Sequence, residues 1–358
     1  MRVLQLIDSL EAGGAERVAV NVANGLASRI EQSFLCATRK EGTLKETISK
    51  EVEYLFLDKQ RTVDFKAVVR LLRYVQSQNI DIIHAHSSSF FLATMVKLLH
   101  RKVTIVWHDH YGESEFLDDR PTKILAICSR YFTHSIAVNT SLETWASQRF
   151  KGVPTSYVPN FAVHNYVTPQ TVLEGVTGKR VLHLANLRAQ KDHITLIKAF
   201  KHVLEACPDW TLHLVGKDFN DAYSASIKST LKRLELEQSV FIYGSRNDSD
   251  AIIKQSSLGV LSSASEGLPI ALLEYGLHGL PVVSTQVGDC ERLIRNGDTG
   301  CLVPSQNEQA LAKALILLMK NENLRLRYSK NLNAHIATHF SEEFVFKKLL
   351  SIYKRCLS

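Results

Sequence analysis

No run of about 18 apolar residues occurs in this 358-residue chain, so no segment of it qualifies as a membrane-crossing helix. The opening "MRVLQLIDSLEAGGAE" breaks at Asp8 and Glu11, too early for a secretory leader, and is expected to be a buried strand followed by a glycine loop. Cysteine is sparse: positions 36, 128, 207, 290, 301 and 356, with no C-x-x-C spacing. That argues against a thiolate zinc site and for a reducing compartment. No basic–aromatic cluster marks a nucleic-acid binder. The glycines near the start, Gly13 and Gly14 of "GGAE", are not a G-x-G-x-x-G, which weakens a dinucleotide-oxidoreductase reading. No D-x-D pair is placed where a strand ends. "DDR" (118–120) and "NDSD" (247–250) read as loop or cap residues, so no metal is expected.

What is present is an ordinary globular composition, 45% hydrophobic and 22% charged, with a net charge of +7. That excess suits an anionic small molecule or an anionic membrane face. The length suggests two domains, since single cores stop growing near ~250–300 residues. Short apolar runs alternate with amphipathic helical stretches. "RVLQLID", "DIIHAHS" and "VTIVWH" read as buried strands in the first half; "RVLHLAN", "TLHLVG", "SVFIYG", "LGVLSS" and "LPVVST" do so in the second. Near-continuous apolar strands separated by helices imply parallel sheets covered on both faces. The expectation is an α/β chain of two doubly wound, Rossmann-like domains facing a central cleft, with a break near 161–178.

Ligands of such sheets bind beyond the carboxyl ends of the strands. After "LGVLSS" come Glu266 and Gly267, then Pro269, which suits the first helical position. The N–H groups of Leu268, Ile270 and Ala271 would head a helix, where an anion such as a diphosphate is favoured. Gly267 allows close approach. Glu266 would accept from sugar hydroxyls. Glu274, seven residues beyond Gly267 and so expected on the same helix face, would hold a ribose.

"EGLPIALLE", then "GLPVVST" and "VGDCERLI", resembles the retaining glycosyltransferases of family four, densely over 179–305 and more loosely in the first half. The resemblance implies a GT-B architecture with an acceptor-binding domain (1–165), a donor-binding domain (166–340) and a closing helix (341–358) packed back on the first. It implies hexose transfer with retention from a nucleoside-diphosphate sugar to a hydroxyl of a glycan or lipid-linked saccharide, in cell-surface polysaccharide biosynthesis. No metal or other cofactor is implied. In "LANLRAQKDHITLIKAF", Lys191 matches the family lysine that neutralises the diphosphate, while Asn186 stands where an arginine is usual and Arg188 is the candidate replacement. His108 matches the histidine that points at the donor sugar. Gly13 and Gly14 match the glycine loop met by acceptor and donor, with His86 and Asp109 on the acceptor side. Gly216 belongs to the donor site, and the resemblance places Tyr243 and Arg246 where the family usually holds the nucleobase, with Arg246 on base or phosphate.

"IIHAHSS" and His110 have H-x-H spacing that suits zinc, although cleft-lining or core histidines paired with backbone are the expectation. Lys66, Arg70 and Arg73 form a basic helical stripe suited to anionic lipid. The expected location is the cytoplasm, with peripheral contact to the inner membrane face. A nucleotide-sugar epimerase of the same architecture and a non-catalytic nucleotide-sugar-binding subunit are the alternatives.

Overall fold

The computed structural model describes residues 1–113, 116–164 and 167–358. Its first strands and helices are β1 (Arg2–Ser9), α1 (Gly14–Ala27), β2 (Gln32–Lys40), β3 (Val52–Phe56), α2 (Phe65–Ser77), β4 (Ile82–His86), α3 (Phe90–Leu99), β5 (Thr104–Asp109), α4 (Lys123–Ser129), β6 (His134–Ala137), α5 (Thr140–Arg149) and β7 (Thr155–Tyr157). There follow β8 (Arg180–Leu184), α6 (His193–Ala206), β9 (Thr211–Val215), α7 (Ala222–Arg233), β10 (Val240–Gly244), α8 (Ser249–Lys254), β11 (Leu258–Leu261), α9 (Ile270–Leu277), β12 (Val282–Thr285), α10 (Cys290–Leu293), β13 (Cys301–Val303), α11 (Glu308–Lys320), α12 (Glu322–His339) and α13 (Glu342–Leu357). Two compact units result: Met1–Phe161 with Glu342–Ser358, and Ala162–Ser341. The boundary thus falls at 161/162, whereas the expected boundary at 165/166 lies outside the described residues.

In the first unit the strand order is β3-β2-β1-β4-β5-β6-β7, every pair parallel. Alternation along the strands assigns the faces. Leu4, Leu6, Ile83, Ala85, Ile105 and Trp107 pack with α2 to α5. Ile7, Leu35 and Ala37 pack with α1. Gln5, His84, His86 and His108 lie on that second side, because Gln5 is in register with His84 and His86 with His108. In β4, then, two of the three residues on that side of "IIHAH", His84 and His86, are imidazoles rather than aliphatics. The closing helix α13 belongs to this unit. It is fixed by Phe346 against Gly25, where a Cβ would come within 2.3 Å of the ring, and by Arg29 contacts to Glu342 and Glu343.

In the second unit the order is β10-β9-β8-β11-β12-β13, again parallel. One face packs on α6, α7 and α11, the other on α8, α9, α10 and α12. Strands β2, β3, β6, β7 and β13 are additions to the sequence reading. β7 and β13 are three residues long, too short for an apolar pattern, and β2 ends in "TRK". In each sheet the order reverses beside the first strand, between β1 and β4 and between β8 and β11. The carboxyl ends of those strands are where this architecture receives ligands.

Candidate active site

In the second unit the loops after β8 and β11 are tied together at that reversal. Ser262 Oγ donates to the Lys191 carbonyl at 2.9 Å, and Ala264 N to the Gln190 carbonyl at 2.8 Å. Across this seam Lys191 Nζ meets Glu266 Oε1 at 2.6 Å, and Ser263 Oγ donates to the same oxygen at 2.6 Å. Two residues singled out for separate roles, cation and sugar acceptor, therefore form one ion pair 75 positions apart in sequence. Glu266 is buried and Lys191 half-buried. Ser263, the second anchor of Glu266, was not picked out, since a serine after a strand carries no signal by itself.

Behind Glu266, the "VGD" turn closes on the loop. Asp289 N donates to the Gly267 carbonyl at 2.9 Å. Gly288 has φ +51°, and a Cβ there would sit 2.1 Å from the Glu266 carbonyl oxygen, so only glycine fits. Helix α9 is aimed by Tyr275, whose hydroxyl accepts from Leu184 N at 2.8 Å and donates to the Leu182 carbonyl at 3.1 Å. Its first N–H groups, including those of Ile270 and Ala271, have no preceding turn to bond to. Two details differ from the sequence reading. Pro269 is the N-cap residue, with φ −72° and ψ 122°, not the first helical residue. Gly267 and Leu268 precede the helix, so the seven-residue spacing does not place Glu274 on a face with Gly267; Glu274 is half-buried in the second turn of α9.

Other expected donor residues have structural partners. Asn186 Oδ1 accepts from Lys217 N at 2.8 Å, joining the ends of β8 and β9. Gly216 is crowded: a Cβ would lie 2.0 Å from the Ala185 carbonyl oxygen. Arg188 is exposed and lies over the Phe219 ring at 4.9 Å, with Lys217 Nζ 5.0 Å from the same ring. Arg188 and Lys217 thus share the Phe219 ring. Tyr243 spends its hydroxyl on Glu174 N and His213 Nδ1, each at 3.0 Å. Arg246 is exposed, its guanidinium on the Ser245 carbonyl.

In the first unit, Gly13 caps α1 in extended conformation and Gly14 is its exposed first residue. His108 and His86 are buried at the ends of adjacent strands. Asp109 corrects an expectation. It is buried and held bidentately by Arg120 at 2.6 and 2.8 Å, and accepts from Tyr111 N at 3.2 Å. Its charge is thereby neutralised within the fold rather than offered to an acceptor. Arg120, read as a loop residue of "DDR", also lies over Tyr111 and Trp145, each at 4.4 Å.

The histidines pair with one another and not with backbone. His84 Nε2 lies 3.1 Å from His108 Nδ1, and His86 Nδ1 2.9 Å from His110 Nε2. Burial pushes His84 and His110 down to about 3, and His86 and His108 well below the ordinary imidazole range, so all four are neutral at pH 7. His84, His86 and His108 bring their nitrogens within 4.8 Å of one another. However, the His84 ring is stacked on His86 at 4.4 Å and on His108 at 5.1 Å. In this arrangement their lone pairs are engaged in hydrogen bonds. A second group, His164, Asp250 and His278, puts Nδ1 and Nε2 3.6 and 3.2 Å from one Asp250 oxygen. It stands at the carboxyl end of α9, away from the Glu266 loop.

Two parallel-sheet Rossmann-like domains with ligand-receiving loops at the sheet reversals define a GT-B architecture. Its solved relatives include Anabaena HepE in complex with UDP-glucose (TM-score 0.81, 19% identity, 99% of this chain and 100% of that one). Residues 169–335 match the model of glycosyl transferases group 1, and residues 12–163 that of Glycosyltransferase Family 4. The chain belongs to the group 1 glycosyltransferases of family 4. An uncharacterized glycosyltransferase of Haemophilus influenzae is 25% identical, over 97% of this chain and 96% of its own. A UDP-Gal:alpha-D-GlcNAc-diphosphoundecaprenol alpha-1,3-galactosyltransferase of Escherichia coli is 24% identical, over 81% and 79%.

Proposed function

We propose that this glycosyltransferase moves a hexose, with retention, from a nucleoside-diphosphate sugar to a hydroxyl of a glycan or lipid-linked saccharide in surface-polysaccharide assembly. The observation that carries the reading is the Lys191–Glu266 pair at the reversal of the second sheet, next to the amino end of α9. As the bond from the anomeric carbon to the diphosphate breaks, negative charge grows on phosphate oxygen. Lys191 and the leading N–H groups of α9 stabilise it, with Arg188 as an outer cation. The acceptor oxygen bonds to the anomeric carbon on the face the diphosphate leaves, and its proton passes to the departing phosphate. No divalent metal is needed in this scheme, because fixed cations and helix dipoles supply the charge. Glu266 accepts from sugar hydroxyls once Lys191 turns to the diphosphate; Glu274 holds the ribose; His108 meets the sugar. The HepE complex with UDP-glucose and the galactosyltransferase named above support a nucleotide-sugar donor and a lipid-linked acceptor.

The test is a thermal-shift screen of nucleoside-diphosphate sugars, followed by product analysis with and without acceptor. The expected result is an acceptor-dependent glycoside with the donor's anomeric configuration, formed undiminished in a chelator. Product without acceptor would indicate an epimerase; an inverted anomer or chelator sensitivity would refute that part of the scheme.

Peripheral contact with an anionic membrane is part of the proposal. Phe65 and Val69 of α2 are exposed at 72% and 41%, beside exposed Lys66 and Arg73. The stripe is narrower than the sequence suggested. Arg70 is spent on the Leu57 and Phe56 carbonyls, and Val68 and Val75 are core.

A further inference from the structure

Under α13, the buried polar side chains of the first unit form one chain of contacts whose proton positions follow from chemistry. The Gln5 amide oxygen lies 2.9 Å from His86 Nε2. A carbonyl oxygen only accepts, so His86 carries its proton on Nε2. Its bare Nδ1 then accepts from His110 Nε2 at 2.9 Å. The Gln5 amide nitrogen, which only donates, faces the Tyr353 hydroxyl oxygen at 3.5 Å. The Tyr353 proton is therefore directed to its other neighbour, His84 Nδ1, at 2.6 Å. His84 must then hold its proton on Nε2 and donate to His108 Nδ1 at 3.1 Å. His108, its Nδ1 an acceptor, is left with its proton on Nε2. Among the described histidines of this network (His84, His86, His108 and His110), that nitrogen is the one buried ring atom without a hydrogen-bond partner. Every other donor in the sequence of bonds points the same way.

We propose that Tyr353 and His84 are positioning residues that hold His108 as its Nε2–H tautomer, so that a neutral N–H donor is ready for an oxygen of the bound nucleotide sugar. The role of His108 rests on the functional reading above; the proton order does not. Burial supports it by keeping all four imidazoles uncharged and the Tyr353 phenol protonated. The arrangement also gives α13 a part in catalysis. The chain contributes Tyr353 from 269 residues beyond His84, and without it His84 has no reason to prefer one tautomer.

The test uses the full chain with nitrogen-15 histidine, read by two-bond nitrogen–proton correlations, alongside steady-state transfer. In the ligand-free wild type, the His108 signal, assigned by its loss in His108→Gln, is expected to show protonated Nε2 and bare Nδ1. In Tyr353→Phe the preference should disappear, with kcat falling roughly ten- to a hundredfold, short of the ~10²–10³ typical of deleting an electrostatic donor outright, and KM little changed. His108 protonated on Nδ1 in the wild type would overturn the proposal, whatever the Tyr353 variant does. So would a Tyr353→Phe enzyme with an unaltered His108 tautomer, whether or not its rate fell, since a lost rate alone would mark a structural defect. An altered tautomer with an unaltered rate would overturn the catalytic role. A wild type of the expected tautomer that transfers no sugar would refute the functional reading and, with it, the role given to His108.

Discussion

Each domain buries an ion pair near the ligand-receiving end of its sheet, and the two pairs differ in a telling way. Arg120 grips Asp109 with two hydrogen bonds, the side chains 10% and 1% exposed, under aromatic rings. Lys191 meets one oxygen of Glu266, and its side chain remains 20% exposed. A bidentate, sealed pair cannot exchange partners without leaving two uncompensated charges in low dielectric. A single-contact pair with an open side, whose carboxylate also has a serine hydroxyl, can release the lysine to a more negative guest. The first pair is sealed into the fold; the second is the one that the proposed function would have trade partners. Around them the first domain offers neutral imidazoles and the second offers charge.

The comparison breaks first at Asp109. Asp109→Asn leaves Arg120 buried without its counter-charge, and the expected loss is about 3–5 kcal/mol of unfolding free energy. It is readable by urea titration through the fluorescence of Trp107 and Trp145, which neighbour Arg120. A variant as stable as the wild type would erase the distinction between the pairs.

Glu274→Ala should weaken donor binding by about 1–3 kcal/mol, as for one charge-assisted hydrogen bond, with turnover at saturation little changed. Calorimetric titration with the donor checks this; unchanged affinity removes the ribose role.

Acid sharpens the comparison further. His84 and His110 are held near 3 while an unfolded histidine titrates near ~6.5, so the unfolded chain binds protons first. Their contribution is present above about 6.5 and is lost as pH falls toward 3, by about 1.4 kcal/mol per pH unit for each buried histidine. His86, His108 and His134 add to this in the first domain; His183, His193, His213 and the partly buried His335 act in the second. Hydrogen exchange at pH 5 against pH 7 should therefore show β4 and β5 losing protection before β8 and β9. The reverse order would contradict the contrast. The smallest effect is expected at Phe65→Ser, which should reduce sedimentation with anionic vesicles and leave transfer to a soluble acceptor unchanged.

Most of the second domain's site was legible because its signals are local. The "EG" turn, the "VGD" turn and Lys191 each lie a few residues beyond an apolar strand. Their encounter was only partly legible: Lys191 and Glu266 could be assigned to one ligand, but their direct contact depends on β8 and β11 being neighbours. In the first domain local reading misled. Asp109 beside His108 looked like a ligand-facing acid, and its partner Arg120 was hidden in a loop. The histidines of "IIHAH" were visible as a cluster, but their chemistry is set by Gln5 on another strand and Tyr353 on the last helix. Pro269 shows the limit of propensity: it suits the first helical position, yet stands one residue earlier, where the chain is still extended.

The exchangeable pair is tested most directly by Lys191→Ala, with thermal unfolding and single-turnover sugar transfer measured on the same preparation. The account predicts a chain that melts close to the wild type, since Glu266 keeps Ser263 and gains access to water. It predicts transfer slowed by roughly 10²–10³. Transfer at the wild-type rate would contradict it.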